Sequence, residues 1–209
     1  MPPAAPLPKN EVPRLKILWQ YDVLDTVPEE VFDDLTDLAA HICEAPVALI
    51  SLVDENRQWF KSRVGTSIKE TSRDISFCAH AILNDGLLVV SDASKDPRFR
   101  DNPQVTGPQK IRFYAGAPLV TPDGHALGTL CVLDRKPRKL RSEQMKALRV
   151  LAHHVVSQLE LRRHAHELIA AREDGRKQKS ELARAKAEIE RLREQLERFR
   201  KRPSKLKRT

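Results

Sequence analysis

Apolar residues recur at helical spacing near both ends of the 209-residue chain and at strand spacing through its middle. RLKILWQYDVL (14–24) carries Leu15, Leu18 and Trp19 on that spacing and predicts a first helix. DTVPEEVFDDLTDLAAHICEAP predicts a second. Asp25 or Thr26 is its cap, Pro28 and two glutamates suit its first turn, and Phe32, Leu35, Leu38, Ala39 and Ile42 form one stripe before Pro46 closes it. The period then shortens. VALISLVDE (47–55) and RQWFKSRVG (57–65) predict a hairpin turning at Asn56. LLVVSDA (87–93) is a third strand, and IRFYAGAPLVT and ALGTLCVLD flank PDGH, where Asp123-Gly124 predicts a second hairpin. Five strands with helices before, between and after them predict an α+β fold with a largely antiparallel sheet. Between the third and fourth strands, SKDPRFRDNPQVTGPQK is long, polar and rich in Pro and Gly, the composition of a loop that covers a pocket.

From Ser142 the helical spacing returns, with Met145, Leu148, Leu151, Ala152, Val155, Val156 and Leu159 facing inward. Farther on, Leu182, Ala185, Ile189, Leu192, Leu196 and Phe199 alternate in steps of three and four, a heptad with these residues at a and d. Projected back, the register puts Leu161, Leu168 and Ala171 on the seam, but also Gly175 and Gln178, so EDGRKQK is a weak spot or a break. In a parallel pair, Glu181 would face Lys186 of the second copy and Glu188 would face Arg193. Both matches are complementary, and they predict a parallel homodimer. A solvated single helix is the alternative.

Charge first suggests nucleic acid, because the chain carries a net +8. Location changes that picture: residues 172–209 hold 15 Lys and Arg against 7 Asp and Glu, leaving 22 of each sign elsewhere. The folded part is neutral, whereas a DNA-reading domain carries the excess on its own surface. The tail RFRKRPSKLKRT has seven bases in 12 residues (Arg198, Arg200, Lys201, Arg202, Lys205, Lys207 and Arg208), and Pro203 ends the helix. Such a run binds nucleic acid, anionic lipid or an acidic partner, or is simply a solvated end. No aromatic residue interleaves with the bases after Phe199, which argues against specific nucleic-acid reading. No apolar run approaches the roughly 20 residues of a membrane span. The start, MPPAAPLPKNEVP, has neither basic n-region nor apolar core, and its five prolines predict a poorly ordered lead. A cytoplasmic chain is expected. Cys43, Cys78 and Cys131 are scattered, without a C-x-x-C, and each is expected to be a reduced, buried small hydrophobe.

The stretch LDTVPEEVFDDLTDLAAHICEAPVALISLVDENRQWFKS is followed by SFCAHAIL, VVSDASKDPRFRDNP, IRFYAGAPLVTPDGHALGTLCVLDRKPR and LRVLAHHV. This series resembles a GAF domain over roughly residues 14–165, of the type found at the sensory end of bacterial histidine kinases and diguanylate cyclases. The resemblance implies a five- or six-stranded antiparallel sheet with flanking helices, a ligand pocket roofed by loops, and terminal helices that dimerise and signal to an output. The organisation expected is a lead over 1–13, the sensory domain over 14–165, a signalling helix or coiled coil over 166–202 and a basic tail over 203–209. The sequence carries no kinase H-box, ATP-binding motif, GGDEF, helix-turn-helix or P-loop. A non-catalytic sensor working through a separate output protein is therefore expected, in the manner of two-component signalling. A dimeric adaptor or nucleic-acid-associated protein, and a redox enzyme or sensor built on Cys78, are the rival readings.

The candidate pocket residues are Trp59, Phe60, Phe77, Cys78, His80, Arg112 and Tyr114. Strand alternation sends Trp59 and Phe60 to opposite faces of the sheet. Ser76 is expected to cap a helix with Cys78 in its first turn, where a thiolate is favoured. Cys78 and His80 stand about 200° apart on that helix and cannot reach one atom together. Within the resemblance, bilin attachment wants a histidine beside the cysteine, where this chain has Ala79. Haem needs an axial imidazole, which His80 would have to supply. Methionine-sulfoxide reduction needs a cysteine cluster that these three do not resemble. The cofactor is left unassigned. Arg112 and Tyr114 share a face suited to an anionic ligand, unless Arg112 pairs with Asp92 or Asp96 and fixes the loop. Phe99 is expected to anchor that loop, with Arg98 and Asp101 stabilising it, and Gly116 and Gly128 to permit close backbone approach.

Overall fold

The computed structural model describes residues 4–200, without the side chain of Phe199. Residues 1–3 and the basic run beyond Arg200, with Lys201, Arg202, Pro203, Lys205, Lys207 and Arg208, lie outside the described residues. The chain divides into two compact units, Met1–Arg163 and His164–Thr209.

In the first unit, α1 (Glu11–Gln20) and α2 (Glu30–Cys43) precede six strands, β1 (Val47–Val53), β2 (Arg57–Val64), β3 (Glu70–Ser72), β4 (Leu88–Val90), β5 (Phe113–Val120) and β6 (Ala126–Asp134). A 3₁₀ turn (Arg73–Ile75) and α3 (Phe77–Ala81) follow β3, α4 (Pro103–Thr106) lies in the long loop, and α5 (Ser142–Arg200) follows β6. The strands form one sheet in the order β3-β2-β1-β6-β5-β4, antiparallel throughout. Both expected hairpins are present, and Gly124 supplies the positive φ of 81° in the second turn.

Alternation along the strands produces two cores. Ala48, Ile50, Leu52 and Trp59 face α1, α2 and α5, where Leu18, Phe32, Leu148, Val155 and Leu159 are buried. Leu49, Phe60, Tyr114 and Cys131 face the other way, against α3 and the long loop. In β1–β2 pairing, Ile50 meets Ser62 but Ser51 meets Phe60, so Lys61 is the extra residue of a β-bulge. The bulge keeps Phe60 on the loop side while Lys61 and Ser62 both turn to the helical side, Ser62 donating to Asp33 of α2 at 2.6 Å.

Several helix ends differ from the expectation, for identifiable reasons. α1 starts at Glu11, three residues early, because Pro13 sits in the first turn, where an N–H has no intrahelical partner to lose. Trp19 is half exposed and donates to Asp54 at 3.0 Å. α2 begins at Glu30, and neither Asp25 nor Thr26 caps it. Asp25 is held by Arg57 at 2.6 Å, and the Thr26 hydroxyl donates to the Val23 carbonyl at 2.7 Å. The buried stripe of α2 is Phe32, Thr36, Ala39, Ala40 and Cys43; Leu38 is exposed. The helix closes on Glu44, in the left-handed conformation with φ 51°, before Pro46 is reached. β3, α3 and α4 are too short to carry a period.

Two buried charge networks hold the helical layer. Arg14 is 1% exposed; it donates to Glu11 at 2.8 Å and to the Val53 carbonyl at 2.7 Å. Arg73 donates to the same Glu11 at 2.5 Å and to the Asp54 carbonyl at 3.0 Å. Burial pushes the Glu11 carboxyl up, but the two guanidinium groups outweigh it and hold the group at about 2. Lys61 is wholly buried and donates to Glu29 at 2.5 Å, to Thr26 and to the Val27 carbonyl. Glu29 also accepts from Arg162 of α5 at 3.1 Å, and Arg162 donates to the carbonyls of Tyr21 and Asp22. Burial works against the Glu29 carboxylate, yet the two cations lower its pKa.

α5 is continuous through EDGRKQK, the segment expected to be a weak spot or a break. Within the second unit Leu168, Leu182, Ile189, Leu192 and Leu196 are all more than half exposed. Glu188 and Arg193 make exposed pairs within the helix, with Arg191 at 3.8 Å and Glu190 at 3.7 Å, each worth only a few tenths of a kcal/mol.

Candidate functional site

A cavity of about 800 Å³ opens on the loop side of the sheet. Its floor is built by alternate residues of β1, β2, β5 and β6: Leu49, Gln58, Phe60, Tyr114, Cys131 and Leu133. α3 forms one wall. Ser76 caps it, accepting from the Ala79 N–H at 2.9 Å, and hydrogen-bonds Gln58 through the same hydroxyl. Phe77 and Cys78 face the cavity from its first turn. Phe77 stacks on Phe99 with ring centres 4.1 Å apart and lies 5.3 Å from the ring of Tyr114.

The long loop closes another side, with Gln104, Gln109 and Ile111 lining the cavity. Asn102 caps α4 by accepting from the Gln104 N–H at 2.9 Å, and its side chain and that of Gln104 both donate to the Ile75 carbonyl. Phe99 is fully buried and anchors the loop. Arg98 clasps Asp96 at 2.6 Å, but Asp101 makes only an exposed contact with Arg100 at 3.4 Å, so its expected share in stabilising the loop is small. Glu44, Asp134, Arg135 and Lys136 give the cavity a charged border.

Four of the seven candidate residues therefore meet at one cavity: Phe60, Phe77, Cys78 and Tyr114. Three do not line it. Trp59 is packed in the helix-side core, as alternation requires. His80 lies edge-on to Phe99 with ring centres 4.8 Å apart, and burial followed by the nearby Arg98 charge lowers its pKa. Arg112 donates to the carbonyls of Val105 at 2.9 Å and Ile111 at 3.0 Å; it fixes the loop through backbone oxygens, while Asp92 and Asp96 are engaged by Lys95 and Arg98. The amide residues Gln58, Gln104 and Gln109 went unselected in the sequence. Gln58 was accessible to the same alternation that marked Phe60, two positions on.

The three cysteines separate into a pair beside the cavity and a single on the other face of the sheet. All are free and buried. Cys78 and Cys131 have their sulfurs 3.8 Å apart, whereas Cys43 lies in the helix-side core. Thr129 donates to the Cys78 sulfur at 3.0 Å, and the Tyr114 hydroxyl is 3.4 Å from it. Burial disfavours both thiolates. For Cys78 the hydrogen bonds from Cys131, Thr129 and Tyr114 reverse that and lower its pKa, while burial and then the Cys78 sulfur push Cys131 up.

The expected close approach at Gly128 is backbone to backbone, since a Cβ there would stand 1.9 Å from the Ser51 carbonyl oxygen. At Gly116 the neighbour is a side chain instead: a Cβ would stand 2.1 Å from the Tyr114 hydroxyl. Gly116→Ala is expected to cost about 1–3 kcal/mol by forcing the Tyr114 ring off the cavity floor. Urea unfolding of Gly116→Ala with and without Tyr114→Leu checks this, the second change recovering most of the loss.

These elements make an antiparallel sheet with helices on one face and a loop-roofed cavity on the other. The family model described as GAF domain matches residues 27–159, and the chain belongs to the GAF domain family. A protein named a cyclic di-GMP phosphodiesterase, from Pseudomonas aeruginosa, is 47% identical over 143 residues. That match covers 68% of this chain but 24% of the relative, so the chain spans about a quarter of the relative's length. Among solved structures, the blue-light absorbing form of the Thermosynechococcus elongatus PixJ GAF domain aligns with a TM-score of 0.56 at 15% identity, covering 68% of this chain and 90% of that one. The GAF domain of an Acinetobacter phosphoenolpyruvate-protein phosphotransferase aligns with a TM-score of 0.52 at 18% identity, covering 75% and 95%. These likenesses establish the fold. Among the described residues no helix is long and apolar enough to cross a membrane.

Proposed function

We propose that this is a non-catalytic cytoplasmic sensor whose cavity binds a small molecule and whose last helix, paired in parallel with that of a second copy, passes the bound state to a separate output protein. One observation carries the reading. β2 joins the cavity to the root of α5, because Phe60 lines the cavity while the next residue, Lys61, is turned by the bulge to hold Glu29, which also holds Arg162. A ligand that displaces Phe60 shifts this clamp, and it biases α5 only as far as it binds one arrangement better than the other. A tenfold preference supplies about 1.4 kcal/mol.

The likeness to part of a cyclic di-GMP phosphodiesterase supports placing the output in cyclic di-GMP turnover. The exposed seam of α5 and the complementary Glu181–Lys186 and Glu188–Arg193 matches support the parallel pair.

The test is a thermal-shift screen of nucleotides, tetrapyrroles, amino acids and central metabolites against the full chain and against Leu49→Trp, which fills the cavity floor. At a hundred times its Kd a true ligand adds about 2.7 kcal/mol of stability. At least one compound is expected to raise the melting temperature of the native chain and to lose that effect in the variant. Equal shifts in both proteins, or none in either, would remove the ligand from the account.

A further inference from the structure

We propose that Cys78 and Cys131 are an oxidisable dithiol, which a hydroperoxide entering the cavity converts to a disulfide. The inference is independent of any resident ligand, because it needs the cavity only as a path for a small oxidant. Three features of the site carry it.

First, the pair is already assembled. The sulfurs are 3.8 Å apart, although the residues are 53 positions apart in sequence and come from α3 and the centre of β6. A disulfide requires about 2.05 Å, so the sulfurs close by roughly 1.8 Å. That movement falls to α3, a single turn of five residues held by one cap, rather than to β6, which is paired on both sides.

Second, the two thiols are made unequal. Thr129 and Tyr114 direct hydroxyls at the Cys78 sulfur and favour its thiolate, the nucleophilic form. Cys131 is the more reluctant acid and lies where a resolving thiol is needed. Third, both residues border the cavity, but Cys78 is 1% exposed and Cys131 not at all, so a small oxidant reaches Cys78 when the short α3 gives way and a bulky reagent does not. Cys43 has none of these features: it is on the other face of the sheet, and burial raises its thiol.

The chemistry balances without a metal or cofactor. The Cys78 thiolate attacks one oxygen of the hydroperoxide, the O–O bond breaks, and the departing alkoxide takes a proton to leave as the alcohol, or as water from hydrogen peroxide. The sulfenic acid formed on Cys78 is then attacked by the Cys131 sulfur. The S–S bond forms, the S–O bond breaks, and hydroxide leaves with the Cys131 proton as a second water. Two thiols lose two electrons and one peroxide gains them. The disulfide draws α3 toward β6 and carries Phe77 with it, altering the cavity wall.

The experiment treats the reduced full chain with one equivalent of hydrogen peroxide at neutral pH, then alkylates it in denaturant and maps it by mass spectrometry. A peptide pair joined through Cys78 and Cys131 is expected, with Cys43 alkylated, and with Cys78 consumed at least about tenfold faster than Cys43. In Cys131→Ser, Cys78 is expected to stall as the sulfenic acid and to be captured by dimedone. Mapping of the native chain decides the matter even where that variant folds poorly. Full alkylation of both residues, a Cys78 sulfinic acid beside an alkylated Cys131, or oxidation of Cys43 at an equal rate would each overturn the proposal.

Discussion

Glu11→Ala is expected to lower the unfolding free energy by about 3–5 kcal/mol, because it leaves two buried guanidinium groups without their carboxylate. Arg14 is 1% exposed and Arg73 7%, and Glu11 bonds both. The loss is large relative to the total stability of a domain, and it falls on the contact that ties α1 to the β1–β2 turn. The pH dependence has a definite sign. The folded carboxyl sits at about 2, below its ordinary 4.5. Its contribution, roughly 3 kcal/mol, is complete above pH 4.5 and is lost as pH falls from there through 2. Urea unfolding at neutral pH and near pH 3 checks both points: the native chain should lose stability between them, and the variant should lose distinctly less. Parallel losses in the two proteins would show that Glu11 is not the titrating group.

The second large effect concerns assembly. Ile189→Asp puts a charge at the middle of the proposed seam in both copies and is expected to weaken the dimer on the order of a thousandfold, about 4 kcal/mol. Sedimentation at micromolar concentration should show a dimer for the native chain and a monomer for the variant. Ile189 is 51% exposed in the single chain, so the melting of the first unit should be unchanged. A native chain that sediments as a monomer, or a variant that stays dimeric, would dismiss the parallel pair.

What was legible in the sequence was what neighbours in sequence decide. The hairpins, the Ser76 cap, the anchoring Phe99 and the division of Trp59 from Phe60 follow from turn chemistry and a period of two. The misplaced features depend on distant partners. Asp25 and Thr26 have good capping chemistry, but Arg57 and the Val23 carbonyl claim them first. Arg112 suits an anionic ligand, or Asp92 or Asp96, by sequence, yet two carbonyls of its own loop satisfy it. Arg14 and Arg73 look like surface residues until Glu11 is placed between them. The meeting of Cys78 with Cys131 has no local signature at all; only the register of β6 beneath α3 creates it.

The bulge at Lys61 also sets how this sheet tolerates a change in length. Removing that one residue would restore unbroken pairing between β1 and β2 and leave Phe60 opposite Ser51 on the loop side and Trp59 opposite Leu52 on the helical side. The phenyl ring would still floor the chamber, but the ammonium group that holds Glu29 beside Arg162 of α5 would be gone. A single codon deletion would thus spare the chamber wall while cutting its link to the helix.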